Sequence, residues 1–95
     1  MFVVSLNYIA PLPEIDRLLE GHKAWLKAGY DDCIFVASGA KRPRTGGVIL
    51  ARCRRETLDA KLAADPFGRA GVAEYDVTEF AATTVAPGLG VLRES

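Results

Sequence analysis

A two-residue alternation and a helical period take turns along this chain, and their order leaves few architectures open. Phe2 to Ile9 alternates and is rich in β-branched and aromatic residues, which predicts a strand closed by Pro11 and Pro13. From about Pro13 to Lys27 the period changes. Ile15, Leu18, Leu19, Trp25 and Leu26 fall on one helical face, with Glu14, Asp16, Arg17, Glu20 and Lys23 mostly off it. Gly29 reads as the stop. Cys33 to Ser38 is a nearly continuous apolar run and a second strand, and Gly39 to Thr45 is a polar turn. Gly47 to Ala51 is a third strand. Glu56 to Ala64 reads as a second helix, with Leu58 and Leu62 one turn apart. Asp65 followed by Pro66 fits an N-cap and a first helical position, so Asp65 to Ala70 reads as a short extra turn. Val72 to Phe80 is the last strand.

Strand, helix, strand, strand, helix, strand is the split βαβ order of a ferredoxin-like βαββαβ sandwich, an α+β fold with both helices on one face of an antiparallel sheet. Strands two and three are apolar on both sides, as expected of a sheet covered twice. Two helices cover only one face. The simplest cover for the other is a second copy of the chain, which predicts a homodimer through the open sheet face; a folded-back tail is the alternative. Residues 81–95 hold Pro87, Gly88 and Gly90 and no clear period, so residues 1–80 are read as the domain and 81–95 as a tail or arm.

Composition narrows the class of function. At 95 residues, 49% apolar and 25% charged, the chain has the make-up of one globular domain. Twelve basic residues balance twelve acidic ones, so the basic excess of a nucleic-acid binder is missing. No run approaches the roughly 18 apolar residues of a membrane span. Met1-Phe2-Val3-Val4-Ser5-Leu6 lacks the marks of a signal peptide, and the expectation is a cytoplasmic protein. Cys33 and Cys53 are too far apart for a CxxC motif, and His22 alone is too little for a zinc site of usual spacing. A hairpin centred near Arg42-Pro43 sets the two cysteines almost opposite each other, and a cytosolic setting favours free thiols.

Chemistry has few places to reside. At about 100° per residue, His22 falls inside the apolar stripe between Leu19 and Leu26, with Trp25 beside it. Two readings fit: a core histidine bonded to a backbone carbonyl, or a general base. Asp65 likewise reads either as a helix cap or as the carboxylate that accepts a proton from His22 and fixes its tautomer. Ser38 leaves strand two toward the turn, where it serves the turn or donates to a ligand oxygen. Lys41, Arg42 and Arg44 read as a solvated hairpin tip or as an attraction for an anionic ligand. Trp25 and Tyr30 read as core or as walls for an aromatic ligand. Gly46-Gly47 lacks the strand–loop–helix context of a phosphate loop, so no cofactor is expected.

His22-Lys23-Ala24-Trp25-Leu26, Ala37-Ser38-Gly39, Gly46-Gly47-Val48-Ile49 and Ala64-Asp65-Pro66-Phe67, continuing through Arg69-Ala70-Gly71-Val72, recur in this order and spacing in a known family. On these residues the chain resembles the YciI-like (YCII-related) proteins over about residues 1–80. Family members often carry Pro where this chain has Ala40. The resemblance implies a ferredoxin-like fold, dimeric α+β barrels, and a histidine–aspartate dyad in a pocket on each subunit, at positions that match His22 and Asp65 here. The best-understood activity of the family is dehydrochlorination of a chlorinated hydroquinone. The expected function is therefore acid–base chemistry (elimination, isomerisation or hydrolysis) on a small molecule, with catalytic His22 and Asp65 and with Ser38, Trp25 and Arg44 at the substrate. The rival is a small-ligand-binding or accessory dimer that turns nothing over; a third reading makes the pair a satisfied polar contact in a structural dimer.

Overall fold

The computed structural model describes residues 1–94. Strands β1 (Phe2–Tyr8), β2 (Phe35–Ala40), β3 (Gly46–Ala51) and β4 (Ala73–Glu79) form one antiparallel sheet in the order β2-β3-β1-β4. Helices α1 (Leu12–Asp31), α2 (Arg55–Ala63) and the single turn α3 (Pro66–Arg69) complete the α+β sandwich. Along β1, Phe2, Val4 and Leu6 are buried while the residues between them are half-buried, as alternation requires. Their cross-strand partners Ala51, Ile49 and Gly47 on β3, and Val77 and Tyr75 on β4, face the same way.

The core has two parts. Phe2, Val4, Ile49 and Ala51 pack with Phe35, Trp25 from α1, and Leu58 and Leu62 from α2. Leu6, Ile15, Phe67, Val72 and Ala73 form the second cluster under α3. Each large side chain buried there contributes about 1.5–3 kcal/mol.

Helix α1 runs past the expected stop at Gly29. A Cβ at Gly29 would run into the ring of Phe35, so this glycine permits close approach of helix and strand. The helix is stopped instead at Cys33, whose φ of 59° is left-handed; Cys33 donates its N–H to Tyr30 O and Ile34 donates to Gly29 O. Strand β2 consequently starts at Phe35 rather than Cys33 and reaches Ala40, which shortens the turn before β3. Its apolar run is not matched by burial on both sides. Phe35 is buried, but Ala37 to Ala40 are exposed and Val48 opposite Gly39 is 37% exposed. On the face away from the helices, Val3, Ala37, Val48 and Leu50 make an apolar area that gives way to Ser5, Asp76 and Thr78 toward β4.

The thiols of Cys33 and Cys53 are free, and both lie beyond the ends of the β2–β3 ladder. The arm after β4 holds a 3-10 turn at Gly90–Leu92 and folds back on the start of the chain. Glu94 accepts from the Met1 ammonium at 2.8 Å and from Ala82 N–H, and Ala82 is buried. Arg52 donates to Val91 O and to Arg93 O. Ser95, the last residue of that arm, lies outside the described residues. Among the described residues no helix is long and apolar enough to cross a membrane.

Candidate active site

His22 sits where the two core clusters meet. Its ring stacks on Phe67 of the second cluster, with centroids 4.0 Å apart, and lies 5.3 Å from Trp25 of the first. Helix α1 turns it inward because it shares the buried stripe with Ile15, Trp25 and Gly29. The residue is only 9% exposed. Such a position demands a partner for its polar atoms, and the partner is Asp65: His22 Nδ1 and Asp65 Oδ1 are 2.8 Å apart.

Asp65 is fully buried and caps α3. Its Oδ1 also accepts the N–H of Phe67 at 3.1 Å, the bond expected of an N-cap followed by Pro66. The cap and the histidine partner, which were separate readings of the sequence, are one carboxylate. Its second oxygen, Oδ2, accepts the hydroxyl of Tyr75 on β4 at 2.5 Å. With three donors around it the carboxylate meets the condition for a buried ion, hydrogen bonds on both oxygens. Burial first, and then the bond to Asp65, push the Tyr75 hydroxyl far above the usual tyrosine range, so it remains a donor. Sequence reasoning missed Tyr75. The available signal was a tyrosine on the inward alternation of the last strand, between Ala73 and Val77, since a buried phenol needs a polar partner.

With Nδ1 engaged by a carboxylate, the neutral ring carries its proton there and keeps Nε2 as a bare acceptor. Among the described residues Nε2 has no hydrogen-bond partner and no fully buried side-chain nitrogen or oxygen lacks one, so Nε2 is not fully buried. His22 forms part of the wall of a cavity of about 190 Å³ between α1 and the sheet. The reason for the cavity is the absence of side chains on its floor. Ala40 and Gly47 face the helix where Phe35, Ile49 and Ala51 fill the space farther along, and Gly39 and Gly46 flank them. Leu19, Leu26, Leu6 and Ile49 give apolar walls; Tyr8, Lys23 and Ser38 bring polar atoms.

Ser38 thus lies on the same cavity as His22, with its Oγ hydrogen-bonded to Tyr30 Oη at 2.7 Å. Two other expected site residues do not line it. Trp25 is 7% exposed and belongs to the core: its Nε1 donates to Lys61 O, Lys61 Nζ donates back to Trp25 O, and the ring meets Phe35 edge-on. Large rings on a helix stripe are drawn inward by the area they bury. Arg44 donates to Asp16 of α1 at 2.5 Å. The bond to Asp16 raises the pKa of its guanidinium, and the Tyr8 phenol adds to that rise. Lys41 donates to Asn7, so the basic turn is largely paired within the chain. Among the described residues no three His, Cys, Asp or Glu side chains are grouped to hold a metal ion.

Fold and site together define a class: a small ferredoxin-like α+β domain with a carboxylate-backed histidine opening onto a single-ring-sized cavity. Within that class, the YCII-related domain model matches residues 1–81, and the chain belongs to that family. A similar solved structure is the 5-chloro-2-hydroxyhydroquinone dehydrochlorinase of Burkholderia phenoliruptrix AC1100, in complex with 2,5-dihydroxybenzoquinone. It matches with a TM-score of 0.70 and 16% identity over 84% of this chain and 93% of its own, a likeness of fold. A search of curated proteins found no match to the sequence.

Proposed function

We propose that the protein is a small-molecule enzyme in which His22 is the general base and Asp65 orients it and stabilises the imidazolium. The observation that carries this reading is the 2.8 Å His22–Asp65 bond, made by a histidine that also lines the cavity. Through Nε2 the base takes a proton from a substrate C–H or from an attacking water; it returns that proton to another substrate atom in isomerisation, and gives it to the departing group or to solvent in elimination and hydrolysis. Ser38 is the substrate-side hydroxyl, and Tyr30 holds it in place.

Volume bounds the ligand. A cavity of about 150 Å³ admits benzene, so about 190 Å³ takes one substituted ring. The dihydroxybenzoquinone bound to the similar structure is a ring of that size, and hydroxylated six-membered rings are the first compounds to screen.

The enzyme acts as a homodimer through the open sheet face, where Val3, Ala37, Val48 and Leu50 supply the apolar surface. Its domain is residues 1–80, with 81–95 as an arm, and its compartment is the cytoplasm. Sedimentation equilibrium tests the dimer: Val48→Lys should yield monomer, and a wild-type monomer at micromolar concentration overturns it.

The mostly apolar cavity wall also suits a pocket that binds without turnover. Ring compounds are therefore assayed for both binding and conversion. Conversion that falls about 10²–10⁴-fold in His22→Ala supports the base. Conversion untouched by that change refutes it, and binding with no conversion of any compound selects the binding reading.

A further inference from the structure

The hydroxyl of Tyr75 reaches the one oxygen of Asp65 that neither the histidine nor the helix cap uses. We infer that Tyr75 is a positioning residue of the dyad: its hydroxyl holds the Asp65 carboxylate so that Oδ1 is presented to His22 Nδ1. The inference rests on the dyad reading above and assigns that site a third member.

The geometry supports it at each atom. Oδ1 takes two N–H donors, His22 Nδ1 at 2.8 Å and Phe67 N at 3.1 Å, and Oδ2 takes Tyr75 at 2.5 Å, the short end for a hydroxyl on a carboxylate. Asp65 is 0% exposed, so water does not reach Oδ2 to replace the phenol. Without Tyr75 the carboxylate would hold one bare oxygen among apolar side chains, free to turn or to collect a proton. With it, rotation is blocked from both ends and part of the negative charge is drawn to Oδ2. The histidine proton then stays on the imidazole.

The neighbourhood is shaped to admit the hydroxyl. A Cβ at Gly68 would stand 2.8 Å from Tyr75 Oη and 3.0 Å from its ring, so only glycine lets the phenol lie beneath α3. The other ionisable groups around His22 are few. Lys23 follows it on α1, Tyr8 of β1 shares the cavity, and Lys61 of α2 stands close enough to feel the Asp65 charge. None of them bonds to the carboxylate among the described residues.

The test is an NMR titration of the ring in the full chain, which has a single histidine. A carboxylate that has turned or taken up a proton holds the imidazolium less firmly. In Tyr75→Phe the pH at which His22 takes up its proton should therefore fall, as far as the freed carboxylate turns away or is neutralised. In Asp65→Asn it should fall. An unchanged or raised midpoint in Tyr75→Phe, with Asp65→Asn shifted, overturns the role of Tyr75 and leaves the dyad standing. An unchanged midpoint in Asp65→Asn removes the dyad itself. If Tyr75→Phe does not fold, Gly68→Ala displaces the hydroxyl while keeping the ring; it should shift the midpoint downward too, and no shift or a rise there overturns the role.

Discussion

His22 Nδ1 and Asp65 Oδ1 stand 2.8 Å apart although 43 positions separate them in the chain. The bond joins the middle of α1 to the cap of α3, and it places a polar pair between two hydrophobic clusters. A pair in that position has structural as well as chemical consequences.

Replacing Asp65 separates the two. Asp65→Ala removes the cap and leaves buried donors on His22 and Tyr75 without acceptors, which should cost about 3 kcal/mol or more. Asp65→Asn keeps a carbonyl oxygen for the cap and should cost less. Urea unfolding of both variants gives the difference, and Asn is the substitution to use in functional work.

Tyr75 links stability to alkaline pH. Its folded pKa lies above the unfolded value, so the unfolded chain loses this proton first as pH rises. Its contribution is complete below about pH 10 and is lost above that. Tyr75 should stay out of the tyrosinate absorbance change until the chain unfolds. Tyr75→Phe should flatten the alkaline fall in stability, as read by denaturant midpoints between pH 8 and 11.

Cys33 occupies a left-handed position that suits glycine, with φ of 59°. Cys33→Gly should stabilise the protein by about 1 kcal/mol, close to 4–8 °C in Tm for a domain of this size. Thermal unfolding under reducing conditions checks it. A loss of stability would mean that the exposed thiol makes a contact worth more than the backbone strain.

Gly29 behaves oppositely. Glycine to alanine inside an exposed helix commonly gains about 1 kcal/mol, but a methyl here meets the Phe35 ring. Gly29→Ala should destabilise by about 1–3 kcal/mol, and shortening the ring with Phe35→Leu should recover part of that loss. A double-mutant cycle measures the recovery.

The order of elements was legible in the sequence because each period is local: alternation in Phe2–Tyr8 and the stripe through Ile15, His22 and Trp25 are set by backbone geometry alone. Asp65-Pro66 announced its own helix start for the same reason. His22 stood out because a titratable ring on an apolar stripe must find a partner. The identity of that partner was not local. Spacing could not decide between cap and acceptor, and the folded chain uses one carboxylate for both.

What only the tertiary structure decided follows from contacts between distant segments. Gly29 looked like a stop because helix propensity is blind to the Phe35 ring packed against it. Trp25 and Arg44 looked available to a ligand, yet Lys61 and Asp16, from other elements, engage them. The cavity arises because glycines and Ala40 of β2 and β3 come to lie under α1, and Tyr75 becomes the carboxylate's third donor because β4 pairs beside β1. Local periods determined which segments become strands and helices; the close packing of those segments determined which side chains meet.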